Sequence, residues 1–208
     1  MGIYAESSPA RKLIPAGSYV ARCYQMIELG TQEMEFKGVK KLLKKANLTW
    51  ELPTEMEVFN EEKGEQPFSI SNDYTLSMFE GANLRRDLEG WRGKGFSEEE
   101  ATHFDITKLV GVACLLNVIH KPAKNGKTYA NIASISTLPK GIICPAQINP
   151  SRILQFEDFD YNLYKELPEF LQEKISASPE FKALMKIESE TTTETIINQV
   201  ADGGDLPF

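Results

Sequence analysis

Two apolar runs flank an Asn-Gly pair, and no other feature constrains the fold of this chain as much. The first, Lys108 to His120, contains Leu109-Val110-Gly111-Val112-Ala113-Cys114-Leu115-Leu116-Asn117-Val118-Ile119. The second runs from Thr128 to Leu138, with Asn125-Gly126 between the two. Asn and Gly tolerate the positive φ of a two-residue β-turn, so this arrangement predicts a hairpin. An isolated hairpin is marginal in water, so further strands must cover its apolar side.

Three other segments can supply them. Ser18 to Leu29 places Tyr19, Ala21, Cys23, Gln25 and Ile27 on one face, and Val20, Arg22, Tyr24, Met26 and Glu28 on the other. Val39 to Leu52 ends with Leu48, Trp50 and Leu52 alternating with Asn47, Thr49 and Glu51, a period of two. Its start, Lys40-Lys41-Leu42-Leu43-Lys44-Lys45, has a helical alternative, because Lys and Leu are good helix formers. Phe68 to Phe79 is the third strand. Thr31 to Val39 and Pro53 to Pro67 are polar and read as loops. Between the third and fourth strands, Asn83 is a candidate cap for a short helix through Leu88, with Gly90 ending it. Ser97 and Glu100 form a capping-box pattern for a second helix.

Five strands with a helical insertion after the third predict a mostly β fold, a five-stranded OB-fold barrel. Another all-β barrel or sandwich is the alternative. The barrel is expected over residues 14–140, behind a flexible lead-in at 1–13. Residues 141–187 read as a Pro-containing extension, with short helices opened by Pro168 and by Pro179. Residues 188–208 are polar and acidic without a core pattern, and are expected to be a disordered tail.

Charge follows the same division. Residues 1–140 carry 18 Lys+Arg against 18 Asp+Glu, and residues 141–208 carry 5 against 12, which together give the chain's 23 and 30. The excess negative charge therefore lies wholly in the last third. An acidic total does not argue against nucleic-acid binding by a neutral barrel, because distribution matters more than the sum.

Other function classes lose ground on the same reading. No apolar run approaches the roughly 18–20 residues of a membrane span, and Met1 to Arg11 has no signal-peptide h-region, so a cytoplasmic protein is expected. Cys23, Cys114 and Cys144 form no C-x-x-C pair, and His103 and His120 are the only histidines; buried thiols are expected, with no metal and no cofactor. There is no P-loop, no G-x-S-x-G and no H-E-x-x-H, so an enzyme is not expected.

Several motifs carry a resemblance. Leu84-Arg85-Arg86-Asp87-Leu88-Glu89-Gly90-Trp91-Arg92-Gly93-Lys94, Gly111-x-x-Cys114 and Gly126-Lys127-x-Tyr129-Ala130-Asn131-Ile132 resemble phage-encoded single-stranded DNA-binding proteins with an OB-fold. Ile14-Pro15-Ala16-Gly17-Ser18-Tyr19 and Trp50-Glu51-Leu52-Pro53 fit the same pattern, so the resemblance spans about residues 13–140. At the other end, Asp202-Gly203-Gly204-Asp205-Leu206-Pro207-Phe208 is similar to the acidic, Phe-terminated ends of such proteins, with fewer Asp than usual. The resemblance implies protection of single strands during replication and recombination, with the tail recruiting other replication proteins. A recombination mediator or annealing protein, and an OB-fold adaptor that never touches DNA, are the alternatives. Nothing in the spacing distinguishes a monomer from a dimer.

Sequence-tolerant binding of single strands needs cations along the phosphates and rings against the bases. Three clusters combine them: Lys40, Lys41, Lys44 and Lys45 before Trp50; Arg85, Arg86, Arg92 and Lys94 around Trp91; and Lys121, Lys124 and Lys127 before Tyr129. Tyr24, Tyr74 and Phe79 are secondary ring candidates. Each cluster has a plainer reading, as a solvated Lys run, a core Trp, or Arg side chains paired along a helix. In the tail, Asp202 and Asp205 supply charge and Leu206 and Phe208 apolar anchors on either side of Pro207.

Overall fold

The computed structural model describes residues 12–187, apart from Lys37, Lys124 and Asn125. Its centre is a curled, antiparallel five-strand half-barrel in the order β3-β2-β1-β4-β5. The strands are β1 (Gly17–Phe36), β2 (Val39–Asn60), β3 (Gly64–Thr75), β4 (Ala113–Pro122) and β5 (Thr128–Ser136). A short β6 (Arg152–Leu154) pairs in parallel with Gln25 to Ile27 of β1. The curl has a local cause: β1 is bulged between Cys23 and Gln25 and again between Glu28 and Gly30. Each bulge adds a residue against β2 and sharpens the bend.

The inner face closes over one core. Ala21, Cys23, Met26, Leu48, Trp50, Leu52, Ile70, Cys114, Leu116, Val118 and Ile135 meet there, and the helix α1 (Asn83–Arg92) adds Leu84, Leu88 and Trp91 from below. All three cysteines are buried, and burial drives the Cys23 thiol up to about 12, so it stays protonated. Gly90 lies against β5 at close range. A Cβ there would meet the Ile135 carbonyl oxygen at 2.4 Å, so only glycine lets the helix sit this low.

Several element boundaries differ from the sequence reading. Thr31 to Val39 and Pro53 to Pro67 are mostly strand: β1 and β2 form a long ribbon turning at Gly38, and β2 and β3 a second one. Their polarity reflects a ribbon solvated on both faces, not a loop. The fourth strand starts at Ala113, because Ile106–Leu109 is a 3-10 turn capped by the Asp105 side chain and Gly111 takes φ +89°. α1 begins after Ala82 without a side-chain cap and ends at Gly93 (φ +70°), so Asn83 is its first residue instead of its cap and Gly90 lies inside it. The capping box does form: Ser97 Oγ accepts from Glu100 N, and the Glu100 carboxylate accepts from Ser97 N, opening α2 (Glu98–His103). β4 and β5 pair as the expected hairpin, although Asn125 is outside the described residues.

The extension is packed onto the barrel. β6, α3 (Tyr161–Glu166), α4 (Glu169–Ala177) and a helix over 179–187 cover the outer face of β1. Ile27 and Leu29 of β1 bury with Leu154, Leu167, Leu171 and Ile175 in a second core, at about 1.5–3 kcal/mol for each aliphatic side chain. Between β5 and β6 the chain runs without regular structure, so its backbone groups need side-chain partners. Two neighbours in the β1–β2 register supply them, Arg22 and Glu51. The Arg22 guanidinium donates to the carbonyls of Gly111, Cys144 and Pro145. The Glu51 carboxylate is fully buried and accepts from Ile148 N (2.7 Å), Asn149 N (2.8 Å) and Asn149 Nδ2 (2.7 Å). A cation thus holds the loop's carbonyls while an anion holds its amides. Further along, Lys174 pairs with Asp73, and Glu180 accepts from the Thr31 amide and hydroxyl.

Candidate nucleic-acid interface

The three expected clusters fare differently. Around α1 the rings and Arg85 are built into the fold, and the other cations are paired with carboxylates. Trp91 is 4% exposed and donates from Nε1 to Ala113 O at 2.8 Å. Trp50 is wholly buried, packed against Trp91 at 5.8 Å and edge-on to Tyr74 at 6.5 Å. Tyr74 is buried too, and donates its hydroxyl to Asp87. Neither tryptophan, nor Tyr74, offers a ring face to a base; all three are core residues. The period-two pattern around Trp50 already allowed this, since Leu48 and Leu52 share its face.

Arg85 is 5% exposed, and its five N–H groups are all taken. Nε donates to Glu89, Nη1 to Met78 O and Glu98, and Nη2 to Phe96 O and Glu98. The guanidinium in turn helps hold Glu89 below the usual carboxylate range, after the stronger effect of the Phe96 amide. Arg86 pairs with Asp87, and both Arg92 and Lys94 pair with Glu100. Arg92 also lies over the Phe96 ring at 3.8 Å. Four cations therefore face Asp87, Glu89, Glu98 and Glu100, and the cluster is locally neutral. Arg85 and Arg92 staple α1 to α2 through Glu98 and Glu100, while Arg86 and Lys94 stay on the surface in ion pairs. The spacing held a clue in Arg85 and Glu89, an i,i+4 pair, but Glu98 is 13 residues away and no helical periodicity links it.

The Lys40–Lys45 run lies on the β1–β2 ribbon as a strand, not a helix. Strand alternation divides it. Lys40 faces with Glu35 and Lys44 with Thr31, while Lys41 faces with Met34 and Lys45 with Gly30. Lys40 bridges to Glu33 at 2.8 Å, and Lys44 lies near Glu180. Among the described residues Lys41 and Lys45 make no ion pair. The run is thus two pairs of lysines on opposite faces, not one basic surface.

On the β4–β5 hairpin, Lys121 pairs in register with Tyr129, so ammonium and ring project from the same face. Lys121, Lys127 and Tyr129 are exposed there. Phe79 is exposed after β3, and Tyr24 is half-buried with its hydroxyl raised by burial. Lys124 and the whole tail set, Asp202, Asp205, Leu206, Pro207 and Phe208, lie outside the described residues.

Among the described residues, the polar face of β2 between Asn47 and Glu51 carries no aromatic ring. Asn47, Thr49 and Glu51 are buried, linked to Asp73, Gln25 and the 148–149 backbone. The extension occupies this face where the sequence reading left it open. No group of three or more His, Cys, Asp or Glu side chains is placed to hold a metal among the described residues, and no helix there is long and apolar enough to cross a membrane.

No known family model matches the chain, and no curated protein is significantly similar to it.

Proposed function

We propose that this protein binds single-stranded DNA without strong sequence preference, as an OB-fold barrel, and is not an enzyme. In this reading it protects exposed strands during phage replication or recombination in the host cytoplasm, and Asp202 to Phe208 recruits partner proteins. Support comes first from connectivity. β1 is shared between β2 and β4, β3 and β5 approach each other, and α1 is inserted between β3 and β4. That connectivity is compatible with a partly open five-stranded Greek-key barrel, a plan that takes up single strands through its 1–2 and 4–5 loops.

The observation that carries the proposal is where solvent-exposed lysines gather on loops. The α1 cluster is cancelled by carboxylates, whereas the β1–β2 ribbon and the β4–β5 hairpin keep solvent-facing ammonium groups. These are the two loops the barrel plan assigns to the strand. Lys121, Lys127 and Tyr129 form the core of the proposed contact, with the ribbon lysines at its other side.

The test is anisotropy of end-labelled oligo(dT), oligo(U) and duplex, titrated at two salt concentrations. Saturable, salt-sensitive binding to oligo(dT) over duplex is expected, and no binding at low salt rejects the proposal. Quenching of tryptophan emission is the wrong readout, because both indoles are buried.

A further inference from the structure

The two ribbons at the ends of β2 differ in charge, and each exposes apolar side chains of its own. The first, residues 31–45, holds Lys40, Lys41, Lys44 and Lys45 against Glu33 and Glu35. The second, residues 55–65, holds Glu55, Glu57, Glu61, Glu62 and Glu65 against Lys63. Past Lys45 in one direction and past Met56 in the other, β2 pairs only within its own ribbon.

Each ribbon leaves large apolar side chains in water. Met34 is 41% exposed and Val39 55% on the basic ribbon; Met56 is 38%, Val58 45% and Phe59 46% on the acidic one. Contiguous apolar groups set among charges of one sign mark a contact surface more often than a solvated face.

Alternation sharpens the match. Glu33 and Glu35 share a face with Leu42 and Lys40, so the opposite face presents Met34, Val39, Lys41 and Lys45 with no acid. On the acidic ribbon Val58 pairs with Glu65 and Met56 with Pro67, so Met56, Val58 and Glu65 share a face with no cation. One face is apolar and positive, the other apolar and negative.

We infer that the Met34–Val39–Lys41–Lys45 face docks on the Met56–Val58–Glu65 face of a second copy of this chain. The contact is heterologous, because the complementary surfaces sit at opposite ends of a 22-residue strand. Charge reversal along β2 selects the neighbour's orientation, since like ribbons repel and unlike ones attract. Lys40 and Lys44 stay on the other face of the basic ribbon. The inference does not depend on nucleic-acid binding.

Sedimentation velocity of the full chain, without nucleic acid, provides the test. Association that rises with protein concentration at about 50 mM salt, and is lost by about 500 mM, is expected. Two variants then separate the surfaces: Val39→Glu with Lys41→Glu on the basic ribbon, and Val58→Lys with Glu65→Lys on the acidic one. All four positions are exposed. Each variant alone should sediment as a monomer. Mixed in equal amounts, they should form a two-protomer species, because each retains the surface the other lacks. A wild-type chain that stays monomeric, a variant that associates like wild type, or a mixture that stays monomeric overturns the inference. Since no DNA is present, none of these outcomes depends on the proposed function.

Discussion

Replacing Glu51 by glutamine tests how the extension is held on the barrel. The carboxylate is fully buried, and its two oxygens accept three N–H groups at 2.7–2.8 Å, one on Oε1 and two on Oε2. Glutamine keeps the shape but has one acceptor oxygen. With that oxygen turned to the two Asn149 donors, its NH₂ group confronts the Ile148 amide. One buried N–H then loses its partner, at about 1–3 kcal/mol, and the other two bonds lose their charge assistance. Relief of carboxylate desolvation offsets part of this, so a net loss of about 2–3 kcal/mol is expected. In a protein of this size each kcal/mol moves the midpoint by about 2–4 °C, so Tm should fall by roughly 4–12 °C. Amide hydrogen exchange locates the effect: Ile148 and Asn149 should lose protection before the inner strands β1 and β2 do. An unchanged melt with unchanged protection at Ile148 and Asn149 would refute the view that Glu51 anchors the loop.

Three other expectations follow from named contacts. If Lys121 and Lys127 both touch phosphates, changing both to Gln should lower the slope of log K against log salt for oligo(dT) by about 1.4, while Arg86→Gln, already paired with Asp87, should leave it unchanged. Gly90→Ala should destabilise by about 1–3 kcal/mol in urea unfolding despite alanine's better helix propensity, because the new methyl meets Ile135 O at 2.4 Å; a stabilised variant would show that the helix can lift off β5 at little cost. Glu89 is held below its ordinary value, first by the Phe96 amide and then by Arg85. For Glu180, burial pushes upward but the Thr31 hydroxyl and amide outweigh it, so it too lies low. Both are depressed carboxylates, so their contribution is complete above the unfolded value of about 4.3 and is lost as pH falls through the lower folded values. The melting temperature should therefore be insensitive to these groups from pH 7 to about 5 and drop below about 4; a Glu180→Gln variant should lose less on acidification than wild type.

Local chemistry was legible in the chain wherever it acts over a few residues. The β4–β5 hairpin, the Ser97–Glu100 capping box and the helices entered at Pro168 and Pro179 all form where their residues indicate. The cap and the proline each act through backbone geometry within one turn of structure, and the hairpin through strand pairing up to Pro122 and Thr128. Boundaries failed where solvent exposure looked like looseness. The ribbons of β1, β2 and β3 are solvated on both faces yet paired along most of their length, so composition alone reads them as loops. The pairing of the α1 cluster was hidden for another reason, since Glu98 and Glu100 reach it through the fold and not along a helix.

The strand around Trp50 shows what each level decides. Alternation of Leu48, Trp50 and Leu52 with Asn47, Thr49 and Glu51 determined by itself that this is a strand with one apolar face. It could not tell that the polar face is buried as well. That depends on residues about a hundred positions later, which deliver amides to the buried Glu51 carboxylate and so make its burial tolerable, and a cation to the half-buried Asp73 beside Asn47. Sequence period reports which side chains share a face. Only tertiary structure supplies the partners that decide whether that face meets water, a nucleic acid or the protein's own chain.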